Sequence, residues 1–379
     1  MKSKKWTSYI FLILFASFIF GYSLADCLIP GREYSELENR YLAAMPSFTV
    51  SGLFNNTYTL KIEEHTNDRF LLRDMWITVK SISETALLKI ENNNIVYGKD
   101  GYMFEKRLTY DSEQLEKNTS SLLSFAEKFP GNSITLIIVP TSDIVLSDKA
   151  PRGLRNIDQV PVIEEIYQKA QERGIHTVGL LEPLRRYGHK PEIIGVMPFY
   201  MTDHHWTALG AYRAYQAYAE SLGLPSEAPV YNHQVSDFYG TYYSKSKKFN
   251  AVPDTIEWFD IPVKSVTING EPVDGLYDHE KWGQRDKYAA FLHGNNGVTV
   301  IDSTGKQDDE RSKILVFKDS YGNAFAPFLS AYFDEVTVID LRYFMEVEKL
   351  MNSGDYDEIL FLYGFPAFSS ETSLVNLRL

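Results

Sequence analysis

From Ile134 onward the chain keeps returning to one pattern, a short uninterrupted apolar run followed by a stretch with apolar residues at helical spacing. The runs are Ile134 to Val139, Ile175 to Leu180, Ile314 to Phe317, Val336 to Leu341 and Ile359 to Tyr363. Between them, residues 162–173, 206–222, 323–332 and 343–351 read as helices. An apolar run without alternation is buried on both faces, and such strands separated by helices make a parallel sheet covered on both sides. In these α/β sheets ligands lie beyond the carboxyl ends of the strands. That rule singles out Pro140-Thr141-Ser142, the residues after Leu180, Asp319 to Asn323, and Asp340-Leu341-Arg342.

The N-terminus stands outside this pattern. Lys2, Lys4 and Lys5 precede an apolar run from Trp6 to Ala25, about 20 residues and enough to cross a hydrocarbon layer roughly 30 Å thick. Positive charge before the run orients the N-terminus inward and the rest of the chain outward. Residues 1–26 are therefore expected to be an uncleaved signal anchor, a single pass of the cell membrane with the main domain extracytoplasmic. A cleaved signal peptide and lipid attachment at Cys27 are the alternatives; Asp26 opposes the second, since small residues are expected there. Residues 27–92 read as a juxtamembrane spacer with a helix pair at 57–91, and residues 93–379 as the α/β domain. That domain opens with a hairpin signal, Ile95-Val96-Tyr97-Gly98 and Gly101-Tyr102-Met103-Phe104 around Lys99-Asp100. It also carries an irregular, β-rich insertion at about 225–310.

Cys27 is the single cysteine, so no intrachain disulfide is possible. The 38 Lys and Arg against 50 Asp and Glu leave a net charge of -12 with no basic stripe, which argues against a nucleic-acid partner. The 25 tyrosines suit either a sugar-stacking surface or a filled core.

Ser320 follows an apolar strand by three residues and precedes a helix, with Gly322 allowing a tight turn. There a hydroxyl stands above the sheet at the positive end of a helix dipole, near main-chain N–H groups able to stabilise an oxyanion. The same position suits an ordinary helix N-cap. Asp203 and His205 supply a complement. In an extended segment residues two apart point the same way and His204 points away. Asp203 could then hold the His205 ring in one tautomer while its other nitrogen takes a proton from a serine. Two alternatives stay open: Asp203 as cap of the helix beginning near Trp206, and Asp203, His204 and His205 as metal ligands. Histidines on opposite sides do not easily share one ion, so no metal is expected. Arg342 is a candidate electrostatic stabiliser, or else the partner of Asp340 or Asp334. Tyr321, Gly294 and Asn295 are candidates for contact with substrate or oxyanion, although Gly294-Asn295-Asn296-Gly297 also reads as a turn.

Asp203-His204-His205-Trp206 is the name-giving motif of the DHHW family, which this chain resembles over almost all its length beyond the apolar run. Similar stretches are Ser35-Glu36-Leu37-Glu38-Asn39-Arg40 with Pro46, Val96 through Phe104, Phe238-Tyr239-Gly240-Thr241, and Phe291-Leu292-His293-Gly294-Asn295. That family in turn resembles the SGNH-hydrolase-like, flavodoxin-like domain of alginate and exopolysaccharide O-acetyltransferases, in which an Asp-x-His-Trp motif precedes a late serine. The resemblance implies that fold and a triad of Asp203, His205 and Ser320, with no cofactor and no metal. It implies O-acyl transfer or ester hydrolysis on a cell-envelope or secreted carbohydrate polymer, with a multi-pass membrane acyltransferase as partner. Where those relatives read Gly-Thr-Ser-Tyr-Ser, this chain has Lys318-Asp319-Ser320-Tyr321-Gly322, and a carboxylate beside the serine opposes a developing oxyanion. The alternative expectation is a non-catalytic carbohydrate-binding or envelope-assembly protein on an SGNH-like fold.

Overall fold

The computed structural model describes residues 2–378 apart from positions 30, 36, 39, 189–196, 225, 227–230 and 304–311. The chain divides into two units, Met1–Lys89 with Lys247–Asn250, and Ile90–Ser246 with Ala251–Leu379.

The first unit begins with α1 (Lys2–Leu28), whose segment Ser8–Leu28 is long and apolar enough to cross a membrane. A short ladder follows, β1 (Tyr34–Ser35) against β2 (Arg40–Tyr41), then α2 (Val50–Phe54), α3 (Thr57–Arg69) and α4 (Arg73–Ala86). Of the stretch at 35–40, Glu36 and Asn39 lie outside the described residues, while Glu38 and Arg40 enter an ionic cluster. Arg40 grips Asp68 with two bonds of 2.6 and 2.7 Å, and Ala43 N donates to the same carboxylate at 2.8 Å. Glu38 accepts from Arg73 at 2.9 Å and lies 3.4 Å from the Lys247 ammonium. The Arg40 bond leads in holding the Asp68 carboxyl down at about 2, and burial lowers the Lys247 ammonium to about 8.

The second unit opens with a meander of β3 (Glu91–Asn92), β4 (Ile95–Tyr97) and β5 (Met103–Glu105), in which β4 and β5 pair as a hairpin. Next come α5 (Ser112–Lys128), β6 (Ser133–Val139), α6 (Ser142–Val145), α7 (Val160–Gln171), β7 (His176–Thr177) and α8 (Leu181–Gly188). After α9 (Ala208–Ser221), β8 (Tyr231–Phe238) and β9 (Asp254–Phe259) form a separate antiparallel pair around α10 (Thr241–Ser246). There follow β10 (Val263–Ile268), β11 (Glu271–Val273), β12 (Val298–Ser303), β13 (Lys313–Lys318) and α11 (Gly322–Leu329). The remaining elements are β14 (Glu335–Ile339), α12 (Val347–Ser353), β15 (Glu358–Gly364) and α13 (Phe365–Ser370).

Eight strands form the main sheet in the order β11-β10-β12-β14-β13-β15-β6-β7. From β14 to β7 the neighbours are parallel, whereas β12, β10 and β11 are antiparallel. The sheet is therefore mixed, not wholly parallel, and the segment read as an insertion supplies one whole edge of it. Positions 225, 227–230 and 304–310 of that segment lie outside the described residues. The reason for the reversal is local: Asn269 and Gly270 both take positive φ (51° and 88°), so β10 turns straight back into β11. A two-residue connection of this kind joins antiparallel strands only.

Along the central strands successive side chains enter two different cores. Ile314, Val316, Leu360 and Leu362 join one with α9 and α11; Leu315, Phe317, Ile359 and Phe361 join the other with α5, α7 and α13. Burial on both faces is what made these runs continuously apolar. The run at 175–180 joins the sheet's edge as the two-residue strand His176–Thr177, with Val178 N donating to Leu136 O. Tyrosines fill the cores, among them Tyr200, Tyr212, Tyr215, Tyr218 and Tyr363.

Candidate active site

Beyond β13, at the centre of the sheet, Asp319-Ser320-Tyr321 turns into α11. The turn is braced by Asp319: Oδ1 accepts from Tyr321 N (2.9 Å) and Oδ2 from Gly364 N (2.8 Å) at the end of β15. A Cβ on Gly364 would lie 2.8 Å from the Tyr321 ring, so only glycine allows this approach. Burial raises the Asp319 pKa against the pull of those two N–H groups. The carboxylate flagged in the sequence therefore serves the main chain of the turn. Gly322 is required by packing and not by backbone angle, since a Cβ there would lie 2.5 Å from Lys318 Cβ. Ser320 does not cap α11; Tyr321 holds the N-cap position without a side-chain bond. Ser320 Oγ instead lies 2.7 Å from His205 Nε2.

His205 belongs to a loop closed by an antiparallel bridge between Phe199 and Trp206. Asp254, buried in β9, accepts from Met201 N (2.7 Å), Thr202 N (2.8 Å) and Thr202 Oγ1 (2.6 Å) and fixes the loop's shape. Within it, Asp203 Oδ1 accepts from His205 N at 2.9 Å and lies 2.6 Å from His205 Nδ1, while Oδ2 accepts from Thr241 N at 2.6 Å. The two residues meet through a turn made by the Asp203 side chain, not through an extended segment as the spacing suggested. In consequence His204 does not point away. Its ring lies against that of His205, centroids 3.7 Å apart, with Nδ1 2.7 Å from Thr241 Oγ1. Thr207, not Asp203, caps α9, its Oγ1 accepting from Gly210 N at 3.0 Å.

Burial opposes ionisation of Asp203, but His204, His205 and the N–H bonds outweigh it and hold the carboxyl well below its usual range. Burial, then the neighbouring His205, pushes the His204 pKa down. Gly240 makes room for this carboxylate, since a Cβ there would lie 2.2 Å from Asp203 Cβ and 2.3 Å from Oδ2. On its free face the His205 ring is covered by Tyr288, centroids 3.8 Å apart and planes 8° from parallel. Tyr288 Oη donates to Ser320 O at 3.3 Å, and Trp206 Nε1 donates to Tyr321 O at 3.1 Å. Tyr288 and Asp254 carried no signal in the sequence; Gly240 did, within Phe238-Tyr239-Gly240-Thr241.

The other candidates are engaged elsewhere. Tyr321 is buried and donates its hydroxyl to His204 O (2.5 Å), making it a wall of the site. Arg342 pairs with Asp340 through two bonds of 2.9 and 2.6 Å. Gly294 N donates to Phe291 O (3.0 Å), closing a turn at 291–294 ahead of the one read at 294–297. Asn295 Oδ1 accepts from Lys318 Nζ and Asn323 Nδ2, each at 3.1 Å, and Lys318 also reaches Asp340 at 3.3 Å. Among the described residues, the N–H groups of Tyr321, Gly322 and Asn323 are taken by Asp319 Oδ1, Asp319 O and Ser320 O, while that of Ser320 has no acceptor. Ligand atoms of Asp203, His204 and His205 lie within 4.8 Å of one another, so the opposite-sides argument against a shared ion does not hold. What occupies the His205 nitrogens here is Asp203 on one side and Ser320 on the other.

A serine beyond a central strand of a mixed α/β sheet, with an Asp–His loop folded over it, is the frame of the site. The chain belongs to the DHHW protein family, which matches residues 109–339. It resembles a crystal structure of a DHHW family protein from Eubacterium siraeum, with 22% identity, a TM-score of 0.64, and coverage of 76% of this chain and 96% of that one. It also resembles the structure of Bacillus cereus PatB1, with 19% identity, a TM-score of 0.59, and coverage of 74% and 98%. Among curated proteins it is similar to the "Probable alginate O-acetylase AlgJ" of Pseudomonas syringae pv. tomato, 23% identical over 204 residues, 50% of this chain and 49% of that protein. The chain spans about half the length of the curated relatives it matches.

Proposed function

We propose that the chain is a membrane-tethered, extracytoplasmic serine O-acyltransferase that places an acyl group, acetyl by analogy with AlgJ, on a hydroxyl of a cell-envelope or secreted polysaccharide. The observation that carries this reading is the relay of Asp203, His205 and Ser320, with contacts of 2.6 and 2.7 Å. In the first half-reaction His205 Nε2 takes the Ser320 proton as Oγ attacks the acyl carbonyl. The tetrahedral intermediate collapses, His205 passes the proton to the departing donor oxygen, and an acyl-serine remains. In the second half-reaction His205 takes the proton of a sugar hydroxyl, whose oxygen attacks the acyl-serine, and then returns that proton to Ser320 Oγ. Water in the sugar's place gives ester hydrolysis. The Ser320 amide is the main-chain donor for the oxyanion. Neither half-reaction needs a cofactor or metal. Lys2, Lys4 and Lys5, ahead of the apolar stretch of α1, support an outward-facing domain, and on this reading the acyl donor reaches it through a multi-pass membrane acyltransferase partner.

The test uses the full chain in detergent, with fluorophosphonate labelling and hydrolysis of an acetyl ester. Wild type should label. Ser320→Ala and His205→Ala should lose roughly 10²–10⁴-fold in rate, whereas His204→Gln and excess chelator should have only small effects. An unlabelled wild type whose rate equals that of Ser320→Ala would remove catalysis and leave a carbohydrate-binding protein. Supplying an oligosaccharide acceptor separates transfer, which yields acetylated sugar, from hydrolysis.

A further inference from the structure

Helix α4 is amphipathic the wrong way round. At 3.6 residues per turn, Met75, Trp76, Val79 and Ile82 fall within an arc of about 120°, and with Leu72 just before them they are between 39% and 55% exposed. The polar residues are turned inward instead. Ser81 is buried and its Oγ accepts from Phe249 N at 3.1 Å, while Asp74 pairs with Arg32 at 2.8 Å. A helix on a water-facing surface has the opposite arrangement, with its apolar stripe against the core. A contiguous apolar stripe left outside marks a surface that something apolar covers.

The position of the stripe says what covers it. The turn between α3 and α4 is tied to the last two turns of α1: Tyr22 Oη donates to Leu71 O and accepts from Trp76 Nε1 (3.2 Å), and Asp26 Oδ1 accepts from Leu71 N (2.5 Å). Trp76, a member of the stripe, is thus bonded to a residue inside the apolar segment Ser8–Leu28. On the reading that this segment spans a membrane, Tyr22 and Trp76 stand near its end, where tyrosine and tryptophan collect at the boundary of hydrocarbon and headgroups. Lys80 borders the stripe and is exposed, a cation whose long stem lets it lie on apolar ground with its charge among headgroups.

We propose that α4 lies in the headgroup layer of a phospholipid bilayer, with Leu72, Met75, Trp76, Val79 and Ile82 turned into the acyl chains. A lone span leaves what it carries free to swivel. The lateral contact of α4 fixes the first unit on the bilayer beside its own anchor. The proposal rests on the spanning of Ser8–Leu28 and is independent of acyl transfer.

Spin labels read this directly. Full-length protein carrying Cys27→Ser receives Val79→Cys, Ile82→Cys or, off the stripe, Thr78→Cys, one at a time, and is labelled and placed singly in nanodiscs of phosphatidylcholine and phosphatidylglycerol. Collisions with oxygen, which concentrates among acyl chains, are compared with those of a water-soluble nickel chelate. The oxygen-to-nickel ratio at Val79→Cys and Ile82→Cys should exceed that at Thr78→Cys at least tenfold. Equal ratios at the three positions overturn the proposal. Shielding of Val79→Cys and Ile82→Cys from both reagents places protein against the stripe and overturns it as well. The pair Val79→Asp and Ile82→Asp should bring a label at Leu72→Cys into water, with at least tenfold more nickel collisions and native circular dichroism; if that pair does not fold, the single-cysteine series decides. Protein that does not enter nanodiscs removes the span and this proposal together. The labels do not depend on turnover, so an inactive Ser320 would sink the catalytic reading and leave this result standing.

Discussion

Tyr288 touches both halves of the relay: its ring lies flat on His205 and its hydroxyl reaches the Ser320 carbonyl. A ring held face to face limits the tilt of the imidazole, and misplacing a reacting group by about 1 Å can cost roughly 10²-fold. Tyr288→Phe keeps the plate and should stay within about threefold of wild type. Tyr288→Ala frees the imidazole and should lower kcat roughly 10–100-fold with little change in KM. A variant that is merely less stable would show a lower Tm with kcat per folded molecule intact, and that result would confine Tyr288 to packing. His204 works differently. Its depressed pKa keeps the ring neutral, so against His205 it adds a surface without adding charge.

The loop from Phe199 to Trp206 owes its shape to clamps from two other elements, Asp254 in β9 and the Gly240-Thr241 step that starts α10. Gly240 is the tightest point. Gly240→Ala drives a methyl into Asp203, and kcat/KM for an acetyl ester should fall at least about 10²-fold while circular dichroism stays native. Wild-type kinetics in that variant would mean the loop yields and the clamp is unimportant. These clamps also mark what the sequence could convey. The five parallel strands were legible because burial on both faces leaves runs such as Ile359 to Tyr363 with no polar break. The edge strands β10–β12 were not, since a half-exposed strand carries no local sign of the sheet it will join. The Asp203 and His205 pair was legible as a spacing, but its geometry was inferred as extended when a side-chain turn bends it. Asp254 lies 53 residues from the amide it holds, and Tyr288 lies 32 from Ser320, so no local pattern announces either. Arg342, which its place after a strand end left as either a stabiliser or a partner of a nearby aspartate, pairs with Asp340 two residues before it.

For the molecule as a whole, buried carboxyls set the response to pH. Burial first raises Glu257 from 4.5 to about 7, outweighing hydrogen bonds led by a long one from Leu209 N (3.4 Å). The folded chain then keeps a proton that the unfolded chain loses near 4.5. The stability this provides is full below 4.5 and is lost as pH rises through about 7. Glu257→Gln removes the dependence, so the Tm of wild type should drop relative to the variant between pH 5 and 8, by on the order of 3 kcal/mol in stability. Parallel melting curves across that range would contradict the buried charge.

The place of β15 bears on timing. It sits between β13 and β6, pairing Glu358 with Ser133, and its last residue supplies the amide that braces Asp319. Strand pairings this far apart in the chain form late and slowly. During synthesis Ser320 is thus translated before its turn can be set. On the proposed function, a chain still lacking Gly364 would be chemically silent toward acyl groups.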